Sequence, residues 1–382
     1  MKILVLQDHL RNGGTERQSV LLAHAFAAAG HATTLLTFRP GGTLAPHPEP
    51  DATSSANAPQ AAVNIHTLQP FDTRLDWFAP GLLRFASRLV PDVILCMGRM
   101  ANCYAGGLQK HFPHAVILAT MRTGKKLPWL YRRSLRLARH IVANSHEAAR
   151  IITTDHGIPH ERITVIHNAL VFSSGAGKVP LSSLSETSRA TLRAQHTVTP
   201  ATTVLLCVAM FRPEKNQRAL ISLAARLPRD ANWQLWLAGE GETRPACTAL
   251  ASQLGLADRV KFLGYQADPA PLYRAADIAV LTSQSESLSN FLIEAQAHGL
   301  PVVADDVGGV RECFLPGETG WAIPPGNADT FLAALTPLLT NSAQRATIAP
   351  IARTFACDSF SPAGQTQRYL DLIARLTSRS PA

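Results

Sequence analysis

The stretch "SQSESLSNFLIEAQAHGLPVVADDVGG", Ser283 to Gly309, decides how the rest of the chain is read. It is entered from "IAVLTS" (278–283), an apolar run that predicts a buried strand ending near Ser283. Glu286 then falls on a loop at the strand's carboxyl edge. Ser289 or Asn290 is a good N-cap, and "FLIEAQAHG" is a short helix stopped by Gly299. The N–H groups of Phe291 and Leu292 point out of such a helix start, where an anion binds. Glu294 lies about one turn further in, placed to accept hydrogen bonds from a ribose diol. The two acids, eight residues apart, therefore need not act as an acid/base pair. They suit the two ends of one ligand whose middle is a diphosphate.

Working outward, the same strand, glycine turn and helix rhythm recurs. "KILVLQ" (2–7), "HATTLLTF" (31–38), "VNIHTL" (63–68), "DVILCM" (92–97), "AVILATM" (115–121) and "HIVANS" (140–145) are apolar strands separated mostly by helical stretches. Residues 39–61 read as a long loop. Residues 171–202, rich in Ser, Thr and Gly, break the rhythm and read as a linker with room for one short helix. A second alternation runs through "TVLLCVAMF" (203–211), "WQLWLAG" (233–239), "RVKFLG" (259–264), "IAVLTS" and "PVVADD" (301–306). The expected fold class is α/β: two doubly wound, Rossmann-like halves. The divisions are 1–170, a linker at 171–202, a second half at 203–360, and a terminal helical segment at 361–382 that packs back on the first half. Ligands of such folds sit at the carboxyl ends of strands, so the chemistry is expected in a cleft between the halves.

Composition sets limits. The 382 residues are 46% hydrophobic and 16% charged, enough for sizeable cores. A formal net charge of +9 favours anionic partners. The six cysteines form no C-x-x-C pair and read as buried reduced thiols. No D-x-D and no H-E-x-x-H occurs, so no metal site is expected. The start reads as a strand and no apolar run is long enough to span a bilayer, so a cytoplasmic protein is expected.

Other turns on the same edges are phosphate-compatible. "QDHLRNGGTERQ" (7–18) puts Gly13 and Gly14 at a strand–helix junction, without the G-x-G-x-x-G of dinucleotide cofactors. "FRPEKNQ" (211–217) sets Arg212 and Lys215 at a strand's end, two cations suited to a diphosphate. "LAGEGE" (237–242) offers Gly239 and Gly241. "DDVGGVRE" (305–312) adds a Gly-Gly turn and a helical stretch.

Taken in order, these motifs resemble the retaining glycosyltransferases of family 4, which have the GT-B fold. The match in "ESLSNFLIEAQAHGLPVVADDVGGVRE" is to the family's Glu-x₇-Glu signature. It extends to "NGGTERQ", "VANSHEAARII" (142–152), "ITVIHNAL" (163–170), "RPEKNQ", "LAGEGE", "RVKFLGY" and "LYRAADIAVLTS". The resemblance implies transfer of a hexose or N-acetylhexosamine, with retention, from a UDP- or GDP-linked sugar to a glycan or glycolipid of the cell envelope. It implies that Arg212 and Lys215 neutralise the leaving diphosphate, that Glu286 holds the donor sugar and Glu294 the ribose. Gly13, Gly14, Gly239, Gly241, Asn290, Phe291 and Leu292 would lie along the donor, and Arg122 on the acceptor side. No cofactor and no metal is implied, and the leaving phosphate rather than a protein base would help deprotonate the acceptor. Three positions depart from the family pattern: Met210 stands where the family's arginine often lies, Arg122 near a usual histidine, and Ser287 after the first glutamate, often followed by glycine. A nucleotide-sugar 2-epimerase on the same scaffold is the alternative.

"RTGKKLPWLYRRSLRLARH" (122–140) mixes seven cations with Trp129 and Tyr131. A helix from about Pro128 predicts an imperfectly amphipathic face able to touch an acidic membrane. No nucleic-acid module is evident, and none is expected as a partner.

Overall fold

The computed structural model describes residues 1–11, 13–45, 63–124, 126–171 and 186–378. Most of the Pro-rich loop, the first part of the linker and Lys125 lie outside these residues. The chain divides into two compact units, Met1–Val171 with Pro362–Ala382, and Phe172–Ser361.

The first unit runs β1 (Lys2–Gln7), α1 (Gly14–Ala28), β2 (Ala32–Thr37), β3 (Asn64–Thr67), α2 (Leu82–Leu89), β4 (Val93–Cys96) and α3 (Ala101–His111). It continues with β5 (Val116–Met121), α4 (Trp129–Leu137), β6 (His140–Ala143), α5 (His146–His156) and β7 (Ile163–Val165). All seven strands pair in parallel, in the order β3-β2-β1-β4-β5-β6-β7. Alternation along β1 shows why both faces are covered. Ile3 and Val5 pack in one buried cluster with Phe26 of α1, while Leu4 and Leu6 pack in another with Leu108 of α3. Local chemistry fixes the helix ends. The Ser145 hydroxyl accepts from Ala148 N at 3.0 Å to start α5, and Gly157 (φ +64°) closes it.

The second unit opens with α6 (Glu186–Gln195), inside the stretch read as a linker. Then come β8 (Thr203–Val208), α7 (Gln217–Ala224), β9 (Trp233–Ala238), α8 (Arg244–Gln253), β10 (Val260–Gly264) and α9 (Ala270–Ala275). β11 (Ile278–Leu281), α10 (Asn290–Ala297), β12 (Val302–Asp305), β13 (Gly320–Ile323), α11 (Ala328–Thr340) and α12 (Ser342–Ser359) complete it. The six parallel strands lie in the order β10-β9-β8-β11-β12-β13. α6 belongs to this unit for an electrostatic reason. Arg189 and Arg193 both reach Asp277, at 2.7 and 3.0 Å, and Asp277 also accepts from Val204 N at 2.8 Å.

The last helix, α13 (Pro362–Ser378), belongs to the first unit. Tyr369, Leu372, Ile373 and Leu376 join the cluster formed with α1, and Tyr369 meets Phe26 edge to face at 6.1 Å. The six cysteines are free, four of them buried. Among the described residues no helix is long and apolar enough to cross a membrane.

Candidate active site

Each sheet has a point where the strand order reverses, between β1 and β4 in the first unit and between β8 and β11 in the second. Ligands of doubly wound sheets bind outside the carboxyl ends of the strands there. In the second unit the chain leaves β8, passes Arg212 and makes a short turn, Pro213–Lys215, before Asn216 and α7. From β11 the chain passes Thr282 and Ser283 to Glu286. The two loops are stitched together: Gln284 N donates to Glu214 O at 2.8 Å, and the Thr282 hydroxyl to Asn216 O at 3.0 Å. The result is an ion pair over the switch point, Lys215 Nζ to Glu286 Oε1 at 2.6 Å, with the Glu286 side chain only 8% exposed. Arg212, three residues earlier, is exposed.

Ser289, in extended conformation, starts α10, and Asn290, Phe291 and Leu292 form its first turn. Their N–H groups lie at the helix end that attracts anions. Glu294 is buried one turn on, and its Oε2 accepts from the Tyr273 hydroxyl at 2.7 Å. Tyr273, from α9, is held in place by stacking on Phe291 (6.0 Å) and His298 (5.0 Å). His298 Nδ1 bonds Glu294 O at 2.8 Å, and burial pushes the imidazole's pKa down. The two glutamates thus have separate partners, one a cation and one a phenol, as suits separate binding roles.

Glycines hold these loops at close quarters. Gly308 (φ +55°) follows β12, and a Cβ there would sit 1.8 Å from Glu286 O. We predict that Gly308→Ala lowers folding stability by about 1–3 kcal/mol and shifts the Glu286 loop. Gly317→Ala, at φ +81° but facing open space, serves as control. Urea unfolding together with donor KM separates them: both lose stability, and only the first changes KM. Gly239 (φ +141°) and Gly241 (φ +152°) are squeezed by backbone, 2.1 Å from Ala209 O and 2.2 Å from Phe211 O to the Cβ they lack. Both therefore brace the loop that carries Arg212.

In the first unit Gly13 and Gly14 stand at the strand–helix junction where the sequence places them. The N-cap Gly13 (φ −86°) precedes α1, which starts at Gly14, and a Cβ on Gly13 would lie 2.3 Å from a Glu16 carboxylate oxygen. An acid thus stands at this helix start. Asp8, just after β1, occupies the switch point. Its carboxyl group accepts from Ala101 N at 2.7 Å and Met100 N at 2.9 Å, so α3 already carries a side-chain cap. Burial pushes Asp8 up to about 7, against the pull of those two N–H groups. Arg122 donates to Asn168 Oδ1 at 2.6 Å and to the Tyr369 hydroxyl at 2.7 Å, tying β5's end to α13.

Sequence reading missed Asp8 and Tyr273. The signal for Tyr273 was present, since a tyrosine in an apolar helical run needs a partner for its hydroxyl. Asp8 caps a helix 92 residues away, which no local pattern reveals.

This arrangement defines an α/β protein with a cation, a helix start and two glutamates gathered at a sheet's switch point. Residues 12–171 match the family model described as Glycosyltransferase Family 4, and residues 188–355 that of Glycosyl transferases group 1. The chain belongs to this family of GT-B glycosyltransferases.

Among curated relatives, the chain is 33% identical over 171 residues to the lipopolysaccharide core biosynthesis glycosyltransferase LpsE of Rhizobium meliloti (strain 1021), covering 45% of this chain and 49% of that protein. It is 34% identical over 219 residues to the D-inositol 3-phosphate glycosyltransferase of Rhodococcus opacus (strain B4), covering 55% and 47%. The chain spans about half the length of the curated relatives it matches. Among solved structures, Anabaena HepE in complex with UDP superposes with a TM-score of 0.78 at 22% identity, covering 98% of this chain and 100% of that one.

Proposed function

We propose that this chain transfers a hexose or N-acetylhexosamine from a UDP- or GDP-linked sugar to a glycan or glycolipid acceptor, with retention at the anomeric carbon. The observation that carries the reading is the pairing of Lys215 with Glu286 beside the α10 helix start, with Glu294 one turn away. A diphosphate arriving there competes with Glu286 for Lys215 and meets the N–H groups of Phe291 and Leu292. Exposed Arg212 adds a second cation. Glu286, released from Lys215, turns to the sugar hydroxyls, and Glu294, oriented by Tyr273, takes the ribose. Charge builds on the leaving diphosphate as the glycosidic bond breaks, so these preplaced donors stabilise the transition state more than the ground state.

The LpsE relative, named for lipopolysaccharide core biosynthesis, supports an envelope glycan or glycolipid as acceptor class, whereas the D-inositol 3-phosphate glycosyltransferase is named for a small phosphorylated polyol. Gly13 and Gly14 keep a proposed place beside the donor, with Glu16 setting how near an anion approaches. Arg122 acts on the acceptor side through the loop it ties to α13. A cytoplasmic enzyme, peripheral on an acidic membrane and independent of metal, fits this reading. The matching family models describe glycosyltransferases and lend the epimerase alternative no support.

The test is incubation with a panel of UDP- and GDP-sugars and candidate acceptors. Release of nucleoside diphosphate, with the anomeric configuration of the product read by NMR, is the measurement. A product with the donor's configuration supports the reading, an inverted one removes retention, and no release with any donor removes transfer itself.

A further inference from the structure

The first unit carries a groove of about 1030 Å³ that follows α3 from Met100 to His111, between α2 and the start of α4. Trp77, Leu83, Tyr104, Trp129 and Leu130 make its walls apolar. Trp77, Trp129 and Leu130 are all more than half exposed, at 57%, 61% and 55%. Contiguous exposure of this kind marks an interaction surface rather than ordinary surface scatter.

α4 explains how the sequence builds it. Tyr131, Ser134 and Leu135 face the core, leaving Trp129, Leu130 and the arginines outside. Of the seven cations in 122–140, Arg122 and Arg139 turn inward to Tyr369 and Leu376 O. Arg132, Arg133 and Arg136 stay outside and, with Trp129, line a second cleft of about 280 Å³ that adjoins the groove. The Arg133 guanidinium lies over the Trp129 ring at 5.5 Å. Among the described residues no carboxylate pairs with any of these three arginines. Arg84 and Lys110 extend the positive rim along the groove.

Three unpaired guanidiniums on one helix repel one another until an anion arrives. A soluble anion would satisfy them and leave the groove wet. A second copy of the chain would bury the groove and set arginine against arginine. A bilayer containing anionic phospholipid answers both needs at once. Its phosphates meet the arginines, and its acyl boundary takes up the tryptophans and leucines. We propose that this face of the first unit docks the protein on an anionic bilayer surface. This deepens the membrane reading above by naming the surface, and its readout does not depend on turnover.

The test is co-sedimentation of the whole chain with vesicles of phosphatidylcholine, with and without phosphatidylglycerol. Binding is expected only to the mixed vesicles, with a blue shift of tryptophan emission. The triple variant R132E/R133E/R136E should lower the partition coefficient roughly 100-fold. W129A/L130A should weaken the binding that remains at high salt, where charge attraction is screened. Circular dichroism checks that the variants fold, and nucleotide affinity in the second unit should be unchanged. Equal sedimentation of wild type and the triple variant would overturn the proposal. So would saturation by inorganic phosphate without vesicle binding, or a concentration-dependent dimer abolished by W129A/L130A.

Discussion

Replacing Lys215 with alanine is expected to lower kcat by about 10²–10³-fold, the range found when one preplaced donor to a developing negative charge is removed. Two effects combine. The leaving diphosphate loses its nearest cation, and Glu286, with its side chain 8% exposed, loses the partner held at 2.6 Å. An uncompensated, largely buried carboxylate also weakens folding, by several kcal/mol in fully buried cases and less here because Lys215 is itself 25% exposed. The two effects separate in K215A/E286Q. Neutralising Glu286 should restore the melting temperature while leaving turnover low. Lys215→Arg should retain much of the stability and part of the activity. Turnover equal to wild type in K215A would remove Lys215 from the chemistry.

The second large effect is expected at Glu294. Glu294→Ala should raise the donor KM and the nucleoside diphosphate Kd by about 100-fold, since hydrogen bonds to a charged group contribute about 1.5–3 kcal/mol each. The truncation also takes away the acceptor that the buried Tyr273 hydroxyl donates to at 2.7 Å. Tyr273→Phe should therefore have a smaller effect of the same kind, roughly tenfold in KM with kcat nearly unchanged, because Glu294 stays but is less firmly oriented. Calorimetric titration with UDP and GDP checks both variants without requiring an acceptor. A KM and Kd unchanged in Glu294→Ala would take the ribose away from this residue.

Much of the architecture could be read from the chain because parallel strands buried on both faces leave a strong signal. Runs such as "VILC" and "IAVL" are continuous apolar segments bounded by turns. β7 and β13 escaped notice because they are three- and four-residue edge strands. Gly320 and Trp321 begin β13 with no alternation to count. The stretch after Gly308, expected to be helical, forms only a short 3₁₀ segment, Gly308–Cys313.

At the site, sequence reading found what is local: Glu286, the α10 start near Ser289, and Glu294 one turn in. It did not find that Lys215 and Glu286, 71 residues apart, meet as an ion pair. Only the strand order, which sets β8 beside β11, brings them together. Gly239 and Gly241 have a backbone reason for being glycine that spacing alone conceals, since each lies against a carbonyl of the neighbouring loop.

The central claim is that Lys215, the first turn of α10 and Glu294, all in the second unit, hold the donor's diphosphate and ribose. Diffraction from crystals soaked with a UDP- or GDP-sugar tests it most directly. The expected result places the diphosphate within hydrogen-bonding reach of Lys215 Nζ and the first turn of α10, with the ribose on Glu294 and the Lys215–Glu286 pair opened. A nucleotide bound elsewhere, with that pair still closed, would contradict it.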